Sequence, residues 1–107
     1  MKLVKRIDDG KFIGYLFYCP GCKYSHTYEV PRWSFNEDFN NPTFSPSLLV
    51  FYTHPETNQR VTCCHLFLKE GKLEFCGDCP HELKGQTVDM VEFPPNYSLP
   101  PSYEPVS

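Results

Sequence analysis

The residues of this chain with the clearest chemical potential are its six cysteines, four of which are spaced as two C-x-x-C pairs. The first pair is Cys19-Pro-Gly-Cys22 and the second is Cys76-Gly-Asp-Cys79. A short turn of this kind lets both sulfurs point at one ion, and two such turns supply the four thiolates of a tetrahedral Zn²⁺ site. The spacing therefore predicts a zinc site, with Cys19 and Cys22 as one half of it.

A redox pair or buried free thiols are the alternative uses of these cysteines. A catalytic C-x-x-C usually begins a helix near a βαβ pattern, whereas Cys19 follows one aromatic run and precedes another. The N-terminal residues lack the apolar stretch and the small-residue cleavage site of a signal peptide. We therefore expect a cytoplasmic protein, in which thiols bind metal more often than they form disulfides.

The run Cys63-Cys64-His65 offers a further candidate ligand. In a strand, Cys63 and His65 would share one face and Cys64 would lie on the other. Cys64 is then either a small buried apolar side chain or a zinc ligand in place of Cys76. The spacing of the C-x-x-C pairs alone favours Cys76.

Length and charge restrict the possible functions. The 107 residues suffice for one domain. The net charge is −3 and the ten basic residues are scattered, so the chain lacks the basic face that nucleic-acid binding usually needs. No apolar run approaches the roughly 20 residues needed to span a bilayer. We expect neither nucleic-acid nor membrane binding.

The elements that would position these residues are mainly β-strands. Residues 12–18 and 24–30 predict a hairpin with the first C-x-x-C at its tip, and Glu70-Gly71 marks a second hairpin. The expected fold is a small, zinc-ribbon-like antiparallel sheet over residues 1–92, with a proline-rich tail over 93–107 that is extended or disordered. The remaining predicted segments are strands at 48–53, 61–69, 72–76 and 86–91, an ordered loop at 31–42, and one short helix at 80–84.

A zinc ion held by four thiolates has no open position for water, so its role would be structural. Catalysis would then need other side chains. The candidates are Ser45, Ser47, His65, His81, His26 and Asp78. The preferred arrangement has a serine of segment 42–47 as nucleophile, His65 as base and Asp78 as the residue that orients the base, with His81 as the substitute base.

Each of these residues also has a plainer interpretation. Hydroxyls beside prolines often bond only to turn backbone. A histidine next to a metal-binding cysteine often donates a hydrogen bond to a sulfur. Asp78 could cap the predicted helix.

Several strings, taken in order along the chain, resemble a family of small proteins of long-unassigned function that is common in phages and prophages. The strings are CPGC at 19–22 with His26, then Trp33 and Asn36, PTFSPS at 42–47, Cys64-His65-x-Phe67, Gly71, Asp78-Cys79-x-His81, Leu83 and GQTV at 85–88. A relative of that family is the peptidase-like component of bacterial ubiquitin-like (Bub) operons. The resemblance covers about residues 15–92.

The resemblance implies the zinc ligands Cys19, Cys22, Cys64 and Cys79, which would leave Cys76 as an extra thiol nearby. It also implies a serine-type peptidase that acts on a ubiquitin-like or other protein tail, in a bacterial or phage-infected cell. The alternative function is a non-catalytic module that binds a protein or peptide through the aromatic loop around Trp33 and Phe35 and the proline-rich tail. Such a module could interfere with a host defence protein. A zinc-stapled accessory domain is the third possibility.

Overall fold

The computed structural model describes residues 2–99 and 103–105, which form two antiparallel sheets. The strands are β1 (Val4–Asp8), β2 (Lys11–Cys19), β3 (Tyr24–Glu29), β4 (Ser34–Phe35), β5 (Phe44–Thr53), β6 (Arg60–Lys69), β7 (Lys72–Phe75), β8 (Thr87–Asp89) and β9 (Tyr103–Pro105). The first sheet has the order β3-β2-β1-β9 and the second has the order β4-β5-β6-β7-β8. The prediction of a mainly β, antiparallel fold is confirmed.

The hairpin of β2 and β3 places the first C-x-x-C turn at one end of the first sheet. The two strands pair from Gly14↔Glu29 to Cys19↔Tyr24. The turn closes with a 2.7 Å hydrogen bond from the Lys23 amide to the Cys19 carbonyl. Cys19 therefore leaves the strand at its last paired position, and Cys22 follows within the turn.

The hairpin of β6 and β7 sets the two faces of β6. Glu70 and Gly71 both have positive φ, at 48° and 76°, as a two-residue type I′ turn requires. Along β6, Cys64, Leu66 and Leu68 are buried, whereas the residues between them are only half-buried. The predicted alternation is confirmed, because Cys64 faces the core and His65 faces away from it.

The two sheets share one core built on aromatic rings. Phe44 of β5 stacks on Tyr28 of β3 with ring centroids 4.4 Å apart, and on Phe35 at 4.5 Å. Phe17 of β2 also stacks on Tyr28, with ring centroids 5.5 Å apart. These contacts join the sheets into one small domain and hold the start of β5 firmly in place.

The predicted helix at 80–84 is wrong. The described residues contain no helix, and so none that is long and apolar enough to cross a membrane. Hydrogen bonds from Lys84 to His81 and from Gln86 to Leu83 make turns of three-residue span, and the Gly85 amide bonds back to the Phe75 carbonyl at 3.0 Å. Gly85 is held by this long-range bond and Cys79 is buried, and the segment between them forms turns instead of a continuous helix.

The aromatic loop and the described part of the tail both contact the rest of the domain. Trp33 and Phe35 are partly buried and pack against the core. In the tail, the Tyr97 ring lies 5.3 Å from that of Tyr18, and Tyr103–Pro105 pairs with β1. The remainder of the predicted tail, residues 100–102 and 106–107, lies outside the described residues.

Candidate functional site

Ser47 and His65 meet on one face of the second sheet. Ser47 Oγ lies 3.2 Å from His65 Nε2. His65 pairs directly with Leu49 across the β5–β6 ladder, and Ser47 precedes Leu49 by two residues, so Ser47 and His65 are diagonal neighbours on one face. The register between Phe44 and Leu48 is irregular, which is why this contact could not be read from simple alternation.

Asp78 completes a chain of contacts through the other nitrogen of the imidazole. His65 Nδ1 lies 2.8 Å and 3.1 Å from the two carboxylate oxygens of Asp78. Asp78 reaches this position because the Cys76 amide donates a 2.9 Å hydrogen bond to the His65 carbonyl, which ties the turn after β7 to β6. With the Nδ1 proton donated to Asp78, Nε2 is free to accept the Ser47 proton.

The arrangement has the connectivity of a serine–histidine–carboxylate triad. A nucleophilic hydroxyl needs a base within hydrogen-bond reach and a third group that orients the base. The His65 and Asp78 side chains are 26% and 64% exposed, so a polypeptide can approach them from solvent. The Trp33 indole N–H donates a 3.1 Å hydrogen bond to the Ser47 carbonyl and thereby holds the backbone of the serine.

The other predicted catalytic candidates lie elsewhere. Ser45 is exposed, and its carbonyl accepts a 3.4 Å hydrogen bond from the Ser34 hydroxyl. His81 does not reach Ser47, because its Nε2 lies among cysteine sulfurs. His26 is 95% buried, with a nitrogen in the same group of donor atoms as three cysteine sulfurs. Ser47 is thus the serine that the structure brings to an imidazole.

Four cysteines from three parts of the chain converge below this face. Cys64 Sγ lies 4.0 Å from Cys19 Sγ and 3.8 Å from Cys79 Sγ, and Cys22 Sγ lies within 4.8 Å of both Cys19 and Cys64. Sulfurs at about 2.3 Å from a tetrahedral zinc ion are separated by about 3.8 Å. These cysteines form no disulfide, and their spacing fits a bound metal ion.

His81, like His26, adjoins this cysteine cluster (Cys19, Cys22, Cys64 and Cys79). His81 Nε2 lies 3.1 Å from Cys79 Sγ and 3.5 Å from Cys64 Sγ. Gly21 makes room for the ring, since a Cβ on Gly21 would lie only 2.2 Å from the imidazole. The sequence analysis did not predict that His81 adjoins the cysteine cluster, although the Cys79-x-His81 spacing is a recognisable signal.

Within the cluster, the pKa values of the thiols shift in opposite directions. A hydrogen bond from Cys64, together with contacts to His26, lowers the pKa of Cys19 to about 3. Burial, and then the negative charge of Cys19, raise the pKa of Cys22 to about 12. The hydrogen bond that Cys64 donates to Cys19 raises the pKa of Cys64. The negative charge of Cys19 thus disfavours further thiolates beside it, and a divalent ion would remove that repulsion.

Cys76 lies apart from this cluster. Its sulfur belongs to a different group of donor atoms, with a His65 nitrogen and an Asp78 oxygen, all within 4.8 Å of one another. Cys76 ends the β7 hairpin on the side of His65, whereas Cys64 points into the core. Of the two competitors for the fourth ligand position, Cys64 is therefore the one that adjoins Cys19 and Cys22.

The chain matches a known protein family over most of its length. Residues 2–76 match the family model of the bacterial ubiquitination-like system serine protease (BubE), a segment that includes Ser47 and His65 and ends before Asp78. No curated protein and no solved structure matches the chain. The matched segment spans well over half of the 107 residues, and the chain accordingly belongs to the BubE family.

Proposed function

We propose that this chain is a serine-type peptidase in which Ser47 is the nucleophile, His65 the general base and Asp78 the orienting carboxylate. The observation that carries the proposal is the unbroken series of contacts from Ser47 Oγ through both nitrogens of His65 to Asp78. Membership of a serine protease family supports the same reaction class.

The chemistry follows from the geometry. Ser47 Oγ attacks the carbonyl carbon of the scissile amide while its proton passes to His65 Nε2, and Asp78 stabilises the resulting imidazolium. His65 then returns the proton to the leaving amine as the C–N bond breaks. A water molecule, deprotonated by His65, hydrolyses the Ser47 ester and restores the free hydroxyl.

We further propose that the cysteine cluster binds a structural zinc ion through Cys19, Cys22, Cys64 and Cys79. Thiolate donors at tetrahedral spacing suit Zn²⁺, and the ion would supply cross-linking and charge neutralisation. Two of the ligands are sequence neighbours of catalytic residues, because Cys64 precedes His65 and Cys79 follows Asp78. Metal binding would therefore fix the spacing between β6 and the turn that carries Asp78.

The substrate class that we propose is the extended tail of a ubiquitin-like or other protein. The family description refers to a ubiquitination-like system, and the exposed His65–Asp78 pair suits a flexible segment that enters from solvent. The test is cleavage of a small folded protein that carries such a tail. Zinc-loaded protein should release the tail, Ser45→Ala should retain this activity, and Ser47→Ala should lose it. Equal activity in the two variants would contradict the assignment of the nucleophile.

A non-catalytic protein-binding module is the second candidate. It is favoured by the exposed rings on β5, where Phe51 is 44% and Tyr52 is 50% exposed. The Arg60 guanidinium lies 4.1 Å above the Phe51 ring, which gives this patch both apolar and cationic character. A module of this kind would bind its partner equally well with Ser47→Ala and would cleave nothing.

A further inference from the structure

Cys76 has no part in the proposed reaction, yet it lies beside the base. Its sulfur, a His65 nitrogen and an Asp78 carboxylate oxygen lie within 4.8 Å of one another. The thiol is half-buried and free. The Cys76 amide nitrogen lies 2.9 Å from the His65 carbonyl oxygen, and this hydrogen bond fixes the backbones of the two residues side by side. The three donors therefore form a group that is held by backbone contacts.

The chemistry of this group suits a thiophilic divalent cation. An imidazole nitrogen, a thiolate and a carboxylate are all zinc ligands, and three protein ligands with one open position are a common zinc arrangement. Donor atoms around one zinc ion lie about 3 to 4 Å apart, so atoms already within 4.8 Å need only small side-chain rotations. Asp78, which is 64% exposed, has the freedom to make them.

We propose that His65, Cys76 and Asp78 form a second, inhibitory site for a thiophilic divalent cation such as Zn²⁺ or Cd²⁺. The ion would occupy the imidazole nitrogen and the carboxylate oxygen that otherwise form the 2.8 Å hydrogen bond. On binding, the Cys76 thiol releases a proton to solvent, and the proton of the His65 imidazole moves from Nδ1 to Nε2, so that His65 binds the ion as a neutral ligand. The metal-bound and catalytic arrangements exclude each other, because both need the same nitrogen of His65.

The two metal sites should differ in affinity. The cysteine cluster is buried, apart from Cys22, and offers four thiolates, whereas the second site is open to solvent and offers one. A mild chelator should therefore empty the second site and leave the first filled. The inhibition rests on the proposed peptidase function, whereas the binding of a second ion does not.

The test is a zinc titration of the full chain, starting from protein that holds one ion after passage over a mild chelator. Equilibrium dialysis should show one additional ion in the parent protein and none in Cys76→Ser or Cys76→Ala. The control is Cys63→Ser, since Cys63 is also half-buried but belongs to neither donor group. Retention of the first ion shows that each variant is folded. No second ion in the parent protein, or an unchanged second ion in both Cys76 variants, would overturn the proposal.

The inhibitory effect has its own readout. Added Zn²⁺ should slow the labelling of Ser47 by a fluorophosphonate in the parent protein. Cys76→Ser should need at least about tenfold more zinc for the same slowing. Loss of a residue that only hydrogen-bonds to a metal ligand already weakens metal binding by about 10- to 100-fold, and Cys76 would be a ligand itself. Equal sensitivity of the two proteins would contradict the inhibitory role. A Cys76-dependent second ion without any labelling of Ser47 would uphold the metal site and contradict the peptidase instead.

Discussion

Cys64 and His65 are consecutive residues of β6, yet their side chains contact different members of the same turn. Cys64 Sγ lies 3.8 Å from Cys79 Sγ inside the core, whereas His65 Nδ1 lies 2.8 Å from the Asp78 carboxylate on the opposite face. The strand and the turn therefore meet through two adjacent pairs of residues, one suited to bind metal and one suited to move a proton. Each pair helps to position the other.

We expect Cys64→Ser to lose the structural metal ion and Cys76→Ser to keep it. Removal of Cys64 takes a sulfur from the centre of the cluster, and the free energy of structural zinc binding is also folding free energy. The unfolding free energy should fall by several kcal/mol, and labelling of Ser47 should fall with it. Metal content per chain and urea denaturation measure the two effects. Loss of metal in Cys76→Ser together with its retention in Cys64→Ser would reverse the ligand assignment.

Asp78→Asn should lower kcat/KM by about 10³- to 10⁴-fold, because an amide does not hold His65 in the tautomer that accepts the serine proton. The melting temperature should change little, since the Asp78 side chain is largely exposed. The matched control is Asp89→Asn, which removes an exposed carboxylate that pairs with Lys72 at 2.7 Å. Comparable losses of activity in the two variants would show that Asp78 does not act through His65.

Gly21→Ala should weaken metal binding, whereas Gly77→Ala should not. A Cβ at position 21 would meet the His81 ring at 2.2 Å, and a Cβ at position 77 would meet nothing within 4 Å. Overpacking of this kind costs about 1–3 kcal/mol. Competition with a chromogenic zinc chelator measures the difference in affinity. Equal affinities would mean that the His81 ring does not lie against the first C-x-x-C turn.

Phe44→Ala should destabilise the fold by about 3–5 kcal/mol, because a fully buried ring leaves a cavity. Phe44 is 1% exposed and stacks on both Tyr28 and Phe35, so its loss removes the main contact between the two sheets. The control is Phe12→Ala at a ring that is 42% exposed, where about 1 kcal/mol or less is expected. Chemical denaturation gives both values, and similar losses would contradict the shared aromatic core.

The sequence predicted those parts of the fold that depend on local patterns. Alternation on β6 set Cys64 and His65 on opposite faces, and the Glu70-Gly71 turn identified its hairpin. Strand β1 was not predicted because most residues of Val4–Asp8 are charged, although Val4 is completely buried. The helix was predicted from Pro80 and Gly85, but the backbone bond from Gly85 to Phe75 is a long-range contact that no local pattern reveals.

For the candidate site as well, local patterns indicated the residues but not the tertiary contacts between them. The residue types of Ser45, Ser47, His65 and Asp78 indicated possible chemistry, but Ser45 and Ser47 could not be separated without the β5–β6 register. His81 was predicted only as a substitute base. Its actual surroundings depend on how the CPGC hairpin packs on the turn after Cys79, which is a tertiary contact.

The most direct test is mass-spectrometric mapping of a fluorophosphonate adduct on the zinc-loaded protein. The account predicts one adduct per chain, located on Ser47, which is retained in Ser45→Ala and lost in His65→Ala although that variant keeps its metal ion. An adduct on Ser45, or no adduct on protein that carries its metal, would contradict the assignment of Ser47 and His65 as nucleophile and base.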